Sequence, residues 1–453
     1  MTNAVSANTG RPPADQPFLL SKTRAACPQD NRAPSTAALS DTPPDDPLRQ
    51  EFPDVQSGPA YIRAATERLK DTAQFSTLAM RLDSATGRTP DLSPAQLSAC
   101  RLKAAQAVDA VAKEESAFWG LLSADTLSCI LPGRDQASGV AVARKIQARL
   151  TALDGHALTI GIAAHPCLKF SLAEVIENAG KALTHAAFFG PGSRACFDAV
   201  TLNISGDCHY DAGDIQAAMA DYRNALRLDP RNVNVLNSLG VCFGVRQEFK
   251  KALTAFNTAA KIDPHEVLAL YNAGLVHLLQ DDKRTALELW LKAAPQGQDI
   301  FELNLQIGRR LLEIDQPEKA QGYIRQAAAL QPESAQVQRM LGDVLLAQRL
   351  TDQAIAPYKT ALRSNPNDAA ALSGLARCYE LRNENMEIAV SFCRQSVDIA
   401  PENGRAFLRL GRLLVKTGQL EEALQAFKQA ETLGEEARSL IVSVEERLVE
   451  KAS

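Results

Sequence analysis

The chain has 453 residues, too many for one ordinary hydrophobic core, so two or three domains are expected. Hydrophobic residues make up 45% and charged residues 23%, as in a globular protein, and the net charge of −4 excludes the strongly basic domain of a nucleic-acid binder. No run approaches about eighteen apolar residues, which excludes a transmembrane helix, and Met1–Gln16 lacks the apolar stretch of a secretion signal.

Nine cysteines stand at 27, 100, 129, 167, 196, 208, 242, 378 and 393, with no C-x-x-C pair and no histidine near two of them at ligand spacing. They read as reduced thiols used as small core residues. That places the chain in the cytoplasm, with no metal and no cofactor expected.

Residues 1–58 carry nine prolines among many Ser, Thr, Asp and Ala. Such a segment buries too little apolar surface to offset its ordering entropy and is expected to be disordered. From 60 to 198 strands and helices alternate. A helix over Ala60–Gln74 leads into a strand, Phe75–Asp83, and the loop SATGRTPDL leads to a helix from Pro94 to about Glu115. The apolar runs Ala117–Leu122 and Leu127–Leu131 read as a hairpin. A helix over Gln136–Leu153, a strand over Ala157–Ala164, a helix over Ser171–Phe188 and a strand over Ala195–Val200 complete an α/β sandwich.

From 199 the sequence repeats. Gly206, Gly240, Gly274, Gly308 and Gly342 are each 34 residues apart, and the series continues to Ala376 and, after one inserted residue, Gly411. Small residues follow at Ala218, Ala252, Ala286, Ala320, Ala354, Ala389 and Ala423, and at Ala225, Ala259, Ala293, Ala327, Ala361 and Ala430. Pro230, Pro264, Pro332, Pro366 and Pro401 close most units, since proline ends a helix. Each unit is expected to be two antiparallel helices. The glycine admits the partner helix, and Tyr222, Phe256, Trp290, Tyr358 and Phe427 fill space between repeats. These residues, as in Leu239–Pro264, resemble the tetratricopeptide repeat. Seven units are expected at 199–232, 233–266, 267–300, 301–334, 335–368, 369–403 and 404–437, followed by a polar capping helix at 438–453.

A repeat array of this kind offers a groove lined by its first helices. Groove positions recur along each of them. They are Asn203, Asp207, Asp211, Asn234, Asn237 and Val241 early in the array. Leu268, Tyr271, Leu275, Leu279, Leu305 and Arg309 follow in the middle, then Arg339, Asp343, Arg377, Arg405, Leu408, Arg412 and Lys416, with Arg409 beside them. The predicted groove runs from acidic or neutral through apolar to basic, which suits an acidic or carboxylate-ended peptide held by arginine.

The α/β region resembles a diguanylate cyclase (GGDEF) domain in four stretches. FSTLAMRLD is similar to the first strand, LSADTLSCILPG to the signature hairpin, LTIGIAAHP to a later strand and VIENAGKALTHAAFFGPGSRACFD to the last helix and strand. The resemblance implies two divalent cations held by carboxylates. This chain departs from it there. The first carboxylate position is Arg81, with Asp83 nearby, and the signature reads Ser123-Ala124-Asp125-Thr126. Gly180, Thr184 and Ala187 replace the last helix's Asp, Tyr and Lys. The upstream inhibitory positions hold Glu114 and Ala117. An arginine in a dication site adds repulsion where attraction is needed, so the expected function is a protein-binding scaffold or adaptor with a degenerate, inactive GGDEF-like domain, and not an enzyme. The alternatives are a nucleotide sensor for GTP or cyclic di-GMP and an active cyclase with unusual ligands.

Overall fold

The computed structural model describes residues 18–20, 47–83, 94–154 and 157–452. They form two compact units, one ending at Ala269 and one beginning at Leu270.

The first unit opens with α1 (Pro47–Glu51), α2 (Gly58–Leu69), β1 (Phe75–Asp83), α3 (Pro94–Glu114), β2 (Phe118–Leu121) and β3 (Leu127–Pro132). It continues through α4 (Gln136–Asp154), β4 (Ala157–His165), α5 (Leu172–Ala187) and β5 (Arg194–Cys196). The strands form one sheet in the order β2-β3-β1-β4-β5. Strand β1 is antiparallel to both β3 and β4, while β4 and β5 are parallel. Alternate residues of β1 serve opposite faces, as the pleat requires. Phe75 and Ala79 pack with Ala65 of α2 and Val175 and Ala179 of α5, whereas Leu78 and Met80 pack with Val108 of α3 and Ile146 of α4. The βαββαβ core has the split-βαβ topology that many unrelated functions share. Helix α5 lies so close to β4 that a Cβ on Gly161 would sit 2.0 Å from the Leu183 backbone nitrogen.

The loop expected at 84–92 lies outside the described residues. The last predicted strand is shorter than the expected Ala195–Val200. Asp198 accepts from the Thr201 amide at 2.8 Å and caps a helix there, so Ala199 and Val200 are helical. That helix, α6 (Ala199–Asp211), with α7 (Ile215–Leu228), α8 (Val233–Val245) and α9 (Phe249–Ile262), adds two helical hairpins to the same core. No linker intervenes. Lys181 of α5 reaches Asp221 of α7 at 2.5 Å, and Ser205 of α6 donates to the same carboxylate at 2.6 Å.

Helix α10 (Val267–Leu279) crosses the division between the units. The second unit then holds α11 (Lys283–Ala293), α12 (Phe301–Glu313), α13 (Pro317–Leu330), α14 (Ala335–Ala347) and α15 (Thr351–Ser364). It ends with α16 (Ala369–Arg382), α17 (Met386–Ile399), α18 (Gly404–Lys416), α19 (Leu420–Thr432) and α20 (Arg438–Ala452).

The repeat glycines make room for side chains rather than for a neighbouring backbone. A Cβ at Gly206, Gly240, Gly274, Gly342 or Gly411 would lie 2.4–2.7 Å from the ring of Tyr222, Phe256, Trp290, Tyr358 or Phe427 in the same hairpin. Gly308 stands in the same relation to Ile324, at 2.3 Å. The large residues therefore fill each hairpin from within, and some also reach the next one: Tyr358 presses on Gly374, and Tyr222 lies against Ser238 of α8. The sixth unit exchanges the sizes, with Ala376 and Cys393 both fully buried in one cluster.

Two expectations are corrected elsewhere. Most of 1–58 lies outside the described residues, but Phe18–Leu20 and α1 are placed, and Phe18 and Leu48 are buried. Seven cysteines are free thiols as expected, whereas Cys208 is disulfide-bonded.

The packing yields a paired stability prediction. Gly342→Val drives methyl groups into the Tyr358 ring and should cost about 3 kcal/mol. Gly322→Ala, on an α13 surface where nothing lies within 4 Å, should stabilise by about 0.5–1 kcal/mol. Urea unfolding of the two variants measures both.

Candidate functional site

In the second unit the first helices of successive hairpins bring the predicted basic residues together, mostly in pairs with carboxylates. Arg339 of α14 meets Asp343 at 3.0 Å and Asp368 at 3.4 Å. Tyr358 donates to the other Asp343 oxygen at 2.7 Å. Burial pushes the Asp343 carboxyl upward, more than Arg339 and Tyr358 pull it down. Two helices further along the array, Glu380 of α16 is clasped from both sides, by Arg377 at 2.6 Å and by Lys416 of α18 at 2.9 Å. Burial raises the Glu380 carboxyl, but these two cations outweigh it and hold the group below its usual range. Arg409 donates to the Ser373 carbonyl at 2.8 Å, and burial lowers its own basicity.

These pairs change the expected character of the groove. Arg339, Arg377, Arg409 and part of Lys416 answer half-buried or buried carboxylates and a carbonyl, so they are structural cations before they are ligands for anything else. What stays open lies on α18. Arg412 is exposed, and Arg405 is 87% exposed beside Glu435, at 3.7 Å. Tyr271 and Leu275 are fully buried, with Tyr271 stacked on Trp290 at 6.2 Å. Arg309 is half-buried beside Tyr271, whose hydroxyl is pushed up chiefly by burial.

In the first unit the groove face is acidic. Asp207 of α6 accepts from Tyr222 at 2.6 Å and lies near Asn203. Burial pushes its carboxyl to about 6, Tyr222 and Ser238 oppose this, and the Asp211 charge adds to it. Sequence reasoning placed Asp207 and Asp343 on this face but missed Asp368, Ser373 and Glu380. An arginine with a glutamate three residues later on one helix, as at Arg377 and Glu380, was a visible sign of the second pair.

Of the residues compared with the cyclase signature, Arg81 and Ser123–Thr126 lie together. Register pairs Met80 with Leu127, which sets Arg81 beside the β2–β3 turn, Ser123–Thr126. Burial raises the Asp125 carboxyl, and hydrogen bonds from Ser123 and Thr126 together with the Arg81 charge more than reverse that. Arg101 donates to the Ala124 carbonyl and fixes the turn. Asp83 is drawn elsewhere. Its carboxylate accepts from Thr159 and, at 3.0 Å, from the Gly192 amide. No group of three or more metal-ligating side chains exists among the described residues.

Paired helices of fixed length, each pair closed by a small residue against a large one, define a helical-repeat protein of the partner-binding class. Tetratricopeptide-repeat family models match residues 206–244, 245–299, 305–363, 339–404 and 380–433, so 206–433 carries tetratricopeptide repeats. The chain is 22% identical over 231 residues to Hsp70-Hsp90 organizing protein 1 of Glycine max, covering 50% of this chain and 40% of that one. It is 20% identical over 234 residues to the Hsp70-Hsp90 organizing protein of Triticum aestivum, covering 49% and 39%. It thus spans about two fifths of the length of these relatives. Among solved structures it is similar to Pseudomonas aeruginosa pilF (20% identity, 48% and 97% coverage, TM-score 0.40). It is also similar to YrrB, described as a TPR protein with an unusual peptide-binding site (20% identity, 41% and 95% coverage, TM-score 0.38). No described helix is long and apolar enough to cross a membrane.

Asp207 gives the groove a measurable pH dependence. Its folded carboxyl titrates at about 6 against 3.8 for the free group, so the fold favours the protonated form. Its contribution to stability is therefore present at pH 4 and lost as the pH climbs through about 6, on the order of 2–3 kcal/mol. Asp207→Asn, which keeps an acceptor for Tyr222, should flatten the decline between pH 4 and 7 by that amount in denaturant unfolding of the intact chain. An unchanged slope would contradict the assignment.

Proposed function

We propose that this protein is a scaffold that holds a partner protein along the first helices of its repeats, and that residues 60–198 form a catalytically silent GGDEF-like domain with a regulatory role. The observation that carries the binding reading is the face of α18, where Arg405 and Arg412 stay exposed while the neighbouring cations answer Asp343, Asp368 and Glu380. A partner segment that is acidic, or ends in a carboxylate, fits that face. Two guanidinium forks can each take a carboxylate by parallel hydrogen bonds, and neither must first give up a buried partner. The names of the Glycine max and Triticum aestivum relatives, Hsp70-Hsp90 organizing proteins, agree with a scaffold.

Silence of the α/β domain is supported by its charges. Nucleotide condensation on two divalent cations needs carboxylates facing an open site. Here Arg81 brings a positive charge to Asp125, and Asp83 is engaged by Thr159 and Gly192. No cofactor is assigned, and the domain acts through its continuous core with the first two hairpins.

Two measurements test this reading. In fluorescence anisotropy, Arg405→Glu combined with Arg412→Glu should weaken an acidic, carboxylate-ended probe peptide by at least about tenfold, a loss of about 1.4 kcal/mol. Stability should stay within about 0.5 kcal/mol because both side chains are superficial. Unchanged affinity contradicts the α18 assignment. Calorimetry of the full chain with GTP, Mg²⁺ and cyclic di-GMP should show neither heat nor product. Heat without product would make the domain a nucleotide sensor, and product would make it a cyclase.

A further inference from the structure

Two positions set the groove face of α8 apart, one of them shared only with α6, and one stretch of chain contacts both. Gly244 is a second glycine, one turn beyond the repeat glycine Gly240. The same position holds Tyr210, Leu278, Leu312, Leu346, Glu380 and Val415 in the other units. A glycine inside a helix costs about 1 kcal/mol relative to alanine, so its presence calls for a packing reason. That reason is Phe18. A Cβ on Gly244 would lie 2.6 Å from the Phe18 ring, and Phe18 is only 8% exposed.

Asn237, two turns earlier on the same face, is 1% exposed. Its side-chain amide donates to the carbonyl of Leu19 at 3.0 Å and to that of Leu20 at 3.3 Å. Tyr271, Leu305, Arg339, Ser373 and Leu408 occupy this position elsewhere, and only the first unit repeats the amide, as Asn203. An amide that grips two successive carbonyls holds a backbone in place without reading its sequence. The ring on Gly244 supplies the side-chain selection. Val241, between them on the helix, is fully buried. Asn203 adds an unused capacity: its Oδ1 is buried without a donor among the described residues.

We propose that the groove face of α8 is a binding site for a non-helical apolar segment, and that Phe18–Leu20 of this same chain is its resident occupant. A partner segment of the same chemistry, with an aromatic residue followed by two aliphatic ones, reaches the first two repeats only by displacing it. The apparent affinity of such a partner is then reduced by the fraction of chains whose site is vacant. The inference concerns α8 alone and stands whether or not α18 binds an acidic segment.

The test uses a fluorescent peptide with the sequence of residues 16–22 (QPFLLSK), titrated against the full chain in non-reducing buffer, which keeps the Cys208 disulfide. A chain carrying Phe18→Asp and Leu20→Asp should bind it at least about tenfold more tightly than the unaltered chain. Adding Gly244→Leu, the residue found at this position in three other repeats, should abolish that gain. Asn237→Leu, again a residue the array already uses there, provides a second blocking variant if the first lowers the yield of folded protein. Equal binding by the unaltered and doubly substituted chains, or binding that survives both blocking substitutions, overturns the proposal. So does the absence of binding to the doubly substituted chain. None of these variants touches α16 or α18, so this failure is separable from failure of the basic face.

Discussion

Everything in the array depends on a steric exchange between one glycine and one large side chain sixteen positions later in the same hairpin. Gly240 and Phe256 show it plainly: the ring stands where a Cβ would be, at 2.5 Å. Because rings such as Phe256 and Trp290 are fully buried, each exchange fixes the separation and rotation of its two helices. The direction of the first helix, and so the residues it turns outward, follows from that. Ala376 and Cys393 show that the constraint is on the sum of the two sizes, since enlarging one partner is matched by shrinking the other. The exposed face of α18 is a consequence of the same contact at Gly411 and Phe427.

Electrostatics then divides the outward residues into two kinds. The buried carboxylate of Glu380 and the half-buried ones of Asp343 and Asp368 draw in the cations around them, because a desolvated charge without a partner is costly. Glu380 takes two cations and Asp343 shares Arg339 with Asp368, which leaves the last first-helix to carry the accessible positive charge. A groove with several arginines is thus far less cationic than its composition suggests. The α/β unit repeats the pattern in miniature, where Arg81 supplies a fixed charge to Asp125.

Legibility in the sequence followed the range of the interactions. The repeat length, the small residues and the seven helix pairs were readable because each is set within one hairpin by residues at fixed spacing. The strand Phe75–Asp83 was readable from its apolar run, and the antiparallel hairpin after it from two short runs around a turn. The partners of Arg339, Arg409 and Lys416 were not, because Asp368 lies at the far end of its repeat, where it caps α16, and Ser373 and Glu380 belong to a neighbouring repeat. The contact of Phe18 with Gly244 joins residues more than two hundred positions apart, and no local pattern announces it. The turns after the first helices were hidden for another reason. Gln247, Asp281, Asp315 and Arg349 hold φ between 57° and 63°, a conformation usually signalled by glycine.

The central claim is that partners meet the first-helix face of the C-terminal repeats. It is tested most directly by placing a photo-crosslinking amino acid at position 412 on α18 and, separately, at position 428 on α19, whose lysine is exposed at 54%. The account predicts that a bound partner is cross-linked from position 412 and not from position 428. Cross-linking confined to position 428, or equal at both, would contradict it.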